Sequence, residues 1–174
     1  MNARRAVVGL GANLGEPRLA LAAAERAIDA LPSTRIVLRS DRYRTAALGA
    51  PGPDYLNAVI AIDTGLDAAA LLRALLGIET AAGRERPAPN APRVLDLDLL
   101  LYGPLGGAFA AGHWPGPPAL TLPHPRMHER RFVLEPLAAI LPDCCIPGHG
   151  PVAALLATLS RQSVQRCERL PHLD

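Results

Sequence analysis

The run VLDLDLLL, residues 94–101, admits few conformations. Every residue in it is apolar except Asp96 and Asp98. A run of about eight such residues fits a buried strand. Strand side chains alternate faces, so the spacing predicts that Asp96 and Asp98 point the same way, roughly 7 Å apart at Cα. Leu95, Leu97, Leu99 and Leu101 then share the opposite, core-facing side. Two neighbouring carboxylates repel and each loses water, so something has to compensate. A hard divalent cation does this. Mg²⁺ accepts one or two carboxylates and fills its octahedron with water and substrate phosphates. Arg93, just upstream, carries the planar fork that clamps a phosphate. A strand whose second face is simply wet is the plainer alternative, and a DxD alone does not choose between them.

The rest of the chain narrows the choice. Its 174 residues suffice for one domain with a substantial core. All 18 basic residues are Arg and the net charge is +2, too small an excess to point to nucleic acid. With no Lys there is no P-loop, so nucleotide binding would use another scaffold. GLGANLG, residues 9–15, lacks the third Gly of a dinucleotide fingerprint, since Leu14 stands in its place. Three cysteines, Cys144, Cys145 and Cys167, form no CxxC and have no metal-like His spacing. They read as free thiols in a reducing compartment. Gly and Pro interrupt the uncharged span 99–125, so it is no membrane helix. A cytoplasmic protein is expected.

Along the chain, residues 6–10 read as a strand buried on both faces. A helix over 16–31 follows, with Pro17 in its first turn and a stripe of Leu21, Ala24, Ile28 and Leu31. Residues 35–45 look like one long strand and 55–63 like another. Asp67 is a good N-cap for a helix over 68–82, with a stripe of Leu71, Leu72, Leu75, Ile78 and Glu79 and a stop at Gly83. A polar, Pro-rich connection, residues 84–92, leads to the acidic strand. Residues 105–118 read as irregular loop, 120–125 as extended chain and 126–131 as a short helical turn. Residues 132–140 read as a short strand and a turn, because Pro136 lies inside. A last amphipathic helix covers 152–166. Strand, helix, strand, strand, helix, strand is the βαββαβ order of a ferredoxin-like α+β sandwich, a mainly antiparallel sheet with helices on one face. The open face and its loops are where a site is expected.

Four segments in order, GLGANLG, YRTAALGAPGPDYLNAV, IETAAGRER…APRVLDLDLLLY and LTLPHPRMHERRFVLEPL, resemble the hydroxymethyldihydropterin pyrophosphokinases of folate biosynthesis. The resemblance runs from about Val7 to Asp143 and implies the same ferredoxin-like sandwich. It implies an ATP- and Mg²⁺-dependent diphosphotransferase, with two Mg²⁺ expected. The reaction moves pyrophosphate from ATP to 6-hydroxymethyl-7,8-dihydropterin and releases AMP. On matching positions, it implies Asp96 and Asp98 as metal ligands, with Arg84 and Arg93 beside them as catalytic residues on the ATP phosphates. It assigns Glu79, His124 and Arg130 to ATP as well. Thr45, Leu48, Tyr55, Asn57 and Phe132 would form the pterin pocket.

The sequence departs from the family pattern at Ala46-Ala47, where prolines are usual, and at Pro87 and Asn90-Ala91. These changes bear on the loops over the substrates. Residues 1–174 read as a single pyrophosphokinase domain, with 144–174 an extension of unknown role. A monomer acting on small molecules, with neither nucleic acid nor membrane as partner, is expected. An RNA-binding module on the open sheet face is the competing class, but such sheets stack bases on several aromatics and this chain has few. An inactive relative with an altered 84–92 loop is the other alternative.

Overall fold

The first half of the chain follows the anticipated order. β1 (Arg4–Ala12), α1 (Pro17–Asp29), β2 (Thr34–Arg39), β3 (Arg42–Thr45), β4 (Tyr55–Thr64), α2 (Ala68–Ala81) and β5 (Asp96–Pro104) succeed one another. The second half adds β6 (Gly112–Trp114), β7 (Leu120–Leu122), a 3-10 turn (Met127–Glu129) and α3 (Arg131–Ile140). It ends with the short pair β8 (Cys145–Ile146) and β9 (Gly150–Pro151), then α4 (Val152–Gln162) and β10 (Cys167–Leu170). This computed structural model describes residues 2–47, 52–83, 94–162 and 167–170, with the backbone alone after residue 159.

One antiparallel sheet dominates, in the order β10-β3-β4-β1-β5, with β2 also paired to β4. The βαββαβ core makes this a ferredoxin-like α+β fold. On one face, α1 and α2 bury Leu21, Ile28, Leu71 and Leu75 against Val8, Leu10, Ile60, Ile62, Leu97 and Leu99. Asp67 caps α2 by accepting the Ala70 N–H at 2.8 Å, and Gly83 ends it at φ +83, a conformation that side chains resist. Among the described residues no helix is long and apolar enough to cross a membrane.

Five expectations about the fold need correction. The strand expected over 35–45 is two strands, broken at Ser40. Ser40 Oγ accepts the Val59 N–H at 2.9 Å and donates to the Asp41 carbonyl at 2.8 Å. A short hydroxyl side chain here competes with the backbone for ladder bonds. The segment 132–140 is helical despite Pro136. The proline removes one helical bond, which costs about 3 kcal/mol. Val133, Leu134 and Leu137 are buried at helical spacing, and full burial of each such side chain contributes about 1.5–3 kcal/mol, so packing wins. The loop over 105–118 contains β6, which pairs with β7.

The second sheet face is not open. α3 and α4 cover it in part, forming a second core of Val7, Val59, Leu100, Leu101, Met127, Leu134, Leu137 and Val152. Leu101 therefore lies opposite the face assigned to it from simple alternation. The β1–β5 register shifts between Val7 and Val8, so Val7 pairs with Leu101 and Val8 with Leu99. The extra residue, Leu100, reverses the parity of the strand beyond it.

Candidate active site

Before that bulge the alternation holds. Leu95, Leu97 and Leu99 enter the core under α1 and α2. Asp96 and Asp98 fall on the other face, both partly exposed. The neighbouring strand places Gly11 opposite Asp96 and Gly9 opposite Asp98. One strand further, β4 places Asn57 opposite Gly11, and β3 then places Tyr43 opposite Asn57. Paired residues of antiparallel strands point the same way. Thus Tyr43, Asn57, Gly11 and Asp96 form a row across the sheet. The glycine leaves a gap in that row. A Cβ on Gly11 would stand 2.9 Å from Asn57 Oδ1, too close for the amide to stay where it is.

Asn57 is 7% exposed, and its Nδ2 donates to Thr45 Oγ1 at 2.8 Å. This bond fixes the amide so that its oxygen faces the glycine gap. Tyr55, one residue pair further along β4, pairs with Thr45 and is partly exposed. Asn13, buried at the end of the GLGANLG segment, donates from Nδ2 to the Pro53 carbonyl at 3.1 Å. It ties the approach to β4 onto the end of β1. Neither Gly11 nor Asn13 was singled out from the sequence. Their signal was present in GLGANLG, whose glycines do not match the dinucleotide fingerprint and so call for another use.

The LPHPRMHERRF segment closes the other side. The His124 N–H donates to the Leu100 carbonyl at 2.9 Å, which docks the segment along the edge strand β5. His124 Nε2 then lies 3.9 Å from Asp98 Oδ1, and Arg130 Nη1 lies 3.7 Å from Asp98 Oδ2. The Arg130 guanidinium carbon also sits 5.7 Å from the centroid of the Phe132 ring. Arg130 therefore joins the acidic strand to an aromatic ring at the start of α3. Of the site residues named from the sequence, Asp96, Asp98, His124 and Arg130 lie together. Thr45, Tyr55 and Asn57 line the sheet beside them, with Phe132 linked through Arg130. Glu79 lies on α2, on the other side of β5. Leu48, Arg84 and Arg93 lie outside the described residues, as do Pro87, Asn90 and Ala91.

Electrostatics settles the state of His124. Burial and then the Arg130 cation push its pKa down from 6.5 to about 4, with only partial opposition from Asp96. Its Nδ1 takes the Arg126 N–H at 3.2 Å, so the neutral ring carries its proton on Nε2, toward Asp98. His124 is thus a neutral hydrogen-bond donor near neutral pH. Because the folded pKa lies below the unfolded one, the unfolded chain binds the extra proton. Stability is intact above 6.5 and is lost as pH falls toward about 4. In metal-free protein, the urea midpoint should therefore fall more steeply with acid for the wild type than for His124→Gln. Parallel curves for the two proteins would contradict a neutral, half-buried His124.

The donor set suits a hard cation. Asp96 and Asp98 offer carboxylate oxygens side by side; Gly11, opposite Asp96, leaves a gap over the sheet, whereas Leu100 packs over Gly9, opposite Asp98. Among the described residues no group of three or more His, Cys, Asp or Glu is placed to hold a metal ion, so the carboxylates offer at most two protein ligand groups. That is enough for Mg²⁺, which typically takes one or two carboxylates and leaves its other positions to water and phosphate.

Comparison with known proteins gives the same frame. The family described as 7,8-dihydro-6-hydroxymethylpterin-pyrophosphokinase (HPPK) matches residues 7–142. The chain is 42% identical over 165 residues to 2-amino-4-hydroxy-6-hydroxymethyldihydropteridine pyrophosphokinase of Methylorubrum extorquens, covering 94% of this chain and 99% of the relative. The protein of the same name from Pseudomonas aeruginosa is 40% identical over 164 residues, covering 94% and 96%. Among solved structures, wild-type Plasmodium falciparum HPPK-DHPS aligns with a TM-score of 0.70 at 11% identity. That alignment covers 93% of this chain and 46% of the other, and supports the fold alone. By the family match over most of its length and these relatives, the chain belongs to the 7,8-dihydro-6-hydroxymethylpterin-pyrophosphokinase family.

Proposed function

We propose that the protein transfers the pyrophosphoryl group of ATP to the hydroxymethyl oxygen of 6-hydroxymethyl-7,8-dihydropterin in folate biosynthesis. The products are the pterin diphosphate and AMP. The observation that carries this reading is the position of Arg130, 3.7 Å from Asp98 and 5.7 Å from the Phe132 ring centre. One cation there reaches both a phosphate bound over the acidic strand and a flat ring held beside Phe132.

The roles divide accordingly. Tyr55 and Phe132 offer aromatic faces to the pterin, and the fixed Asn57 amide and Thr45 offer hydrogen bonds to its edge. Leu48 would complete this pocket. The gap at Gly11 lets the ring lie close to the sheet. Asp96 and Asp98 would hold two Mg²⁺, which when bound neutralise phosphate charge. Arg130 and the neutral Nε2–H of His124 face the phosphates, with Arg84 and Arg93 expected to clamp them from the preceding segment. In the reaction the hydroxymethyl oxygen bonds to the β-phosphorus. The bond from that phosphorus to the oxygen bridging the α-phosphate breaks, the AMP moiety keeps the electron pair, and the hydroxyl proton is released. Transfer of this type depends mainly on positioning and charge stabilisation. The enzyme is read as a single cytoplasmic domain acting as a monomer on small molecules.

The test is product analysis. AMP should form only when ATP, Mg²⁺ and the hydroxymethyl pterin are all present. Formation of ADP in its place would exclude pyrophosphoryl transfer.

A further inference from the structure

Glu79 occupies an unusual place for a carboxylate. It continues the stripe of Leu71 and Leu75 on the buried side of α2 and is itself 2% exposed. Its Oε1 accepts the backbone N–H of Leu97 at 2.7 Å. Leu97 is the residue between Asp96 and Asp98. It lies on β5, an edge strand of the sheet among the described residues, paired there with β1. Edge strands carry a row of backbone groups with no ladder partner and are correspondingly free to shift. A shift at Leu97 would move both aspartates at once, because their side chains leave the backbone one residue to either side of it. The resemblance to known family members assigned Glu79 to the nucleotide, but Glu79 Oε1 accepts a bond from the strand behind the site.

We propose that Glu79 is a positioning residue: its buried carboxylate pins the Leu97 amide and thereby sets the spacing and direction of the Asp96–Asp98 pair toward the metal. Its role needs an acceptor atom at the right reach, not a charge in contact with substrate. Groups that orient metal ligands in this way typically change metal affinity or activity about 10- to 100-fold when removed. The inference rests on the pyrophosphokinase reading above.

Three variants separate the possibilities, each assayed for AMP formation across a Mg²⁺ titration, with KM measured for ATP and for the pterin, and each titrated with Mn²⁺ by electron paramagnetic resonance, which reads metal affinity without turnover. Glu79→Ala removes the acceptor and should raise the half-saturating Mg²⁺ concentration about 10-fold or more, leaving the pterin KM unchanged. Glu79→Asp keeps the charge but falls one methylene short, and should behave like Glu79→Ala. Glu79→Gln keeps an oxygen at the same reach and should stay within about 3-fold of wild type. If Glu79→Ala does not fold, the Gln and Asp variants carry the test. A Gln variant that loses Mg²⁺ affinity while the Asp variant keeps it would overturn the proposal, because charge and not reach would then matter. An unchanged Mg²⁺ requirement in the Ala or Asp variant would overturn it too. Failure of the functional reading is distinct: the wild-type protein itself would form no AMP.

Discussion

Asp98→Ala should lower kcat about 10³-fold, roughly 4 kcal/mol of transition-state stabilisation, while the protein stays folded. Asp98 is partly exposed and shares its face with another carboxylate, so its removal relieves repulsion and opens no core cavity. On the proposed function, what is lost is the anchor for charge neutralisation at the phosphates, which acts mainly in the transition state. The pterin KM should change little, since Asn57, Thr45 and Tyr55 are held by β3 and β4 and not by Asp98. Asp96→Ala should fall comparably. The double variant should fall little further, because groups that act as a unit are not additive. Steady-state kinetics with AMP as the measured product, alongside thermal unfolding, checks all of this. Near-normal turnover in both single variants would remove the aspartates from the mechanism.

Arg42→Ala should produce the largest loss of stability, about 3 kcal/mol, by leaving a buried charge incompletely paired. Arg42 on β3 and Glu25 on α1 are 5% and 6% exposed and form a direct ion pair between Nη1 and Oε1. Glu25 Oε2 is also 3.2 Å from Arg39 Nε, but the Arg39 side chain is 40% exposed and its share is screened by solvent. Removing Arg42 takes away the buried cation that faces this carboxylate. Replacing both residues, as Glu25→Met with Arg42→Met, should recover most of the loss, because no unpaired charge then remains. Urea midpoints of the single and double variants give the coupling directly. A loss below about 1 kcal/mol in Arg42→Ala would mean that Glu25 is satisfied without it. The pair also matters to the site. It locks α1 to the strand that carries Tyr43 and Thr45, so destabilisation here should weaken pterin binding before it alters phosphate chemistry.

The elements that carry local periodicity were legible in the sequence. Leu21, Ala24 and Ile28 fixed the buried side of α1, and Asp67 marked the start of α2. The same-face placement of Asp96 and Asp98 followed from strand geometry alone. The β-bulge was not legible, because Leu99, Leu100 and Leu101 are alike and read equally well in either parity. α3 was hidden by Pro136, a local signal outweighed by burial of Val133, Leu134 and Leu137. β10 lacked any signal, since its four residues gain a strand conformation from pairing with β3. Glu79 was visible as a polar residue on an apolar stripe and, through the resemblance, as a nucleotide contact, but its bond to a backbone amide 18 residues away was not legible. The depressed pKa of His124 comes from burial and from Arg130, six positions on, so it arises only when the segment folds along β5.

The claim on which the account depends is that Asp96 and Asp98 jointly hold the divalent cations that accompany the nucleotide. Mn²⁺ titration of the wild type and of Asp98→Ala, followed by electron paramagnetic resonance with a non-hydrolysable ATP analogue and pterin present, tests it most directly. The wild type should bind two Mn²⁺ per chain beyond those held by the free nucleotide, and Asp98→Ala should lose at least one of them. Equal metal counts and affinities in the two proteins would contradict the account.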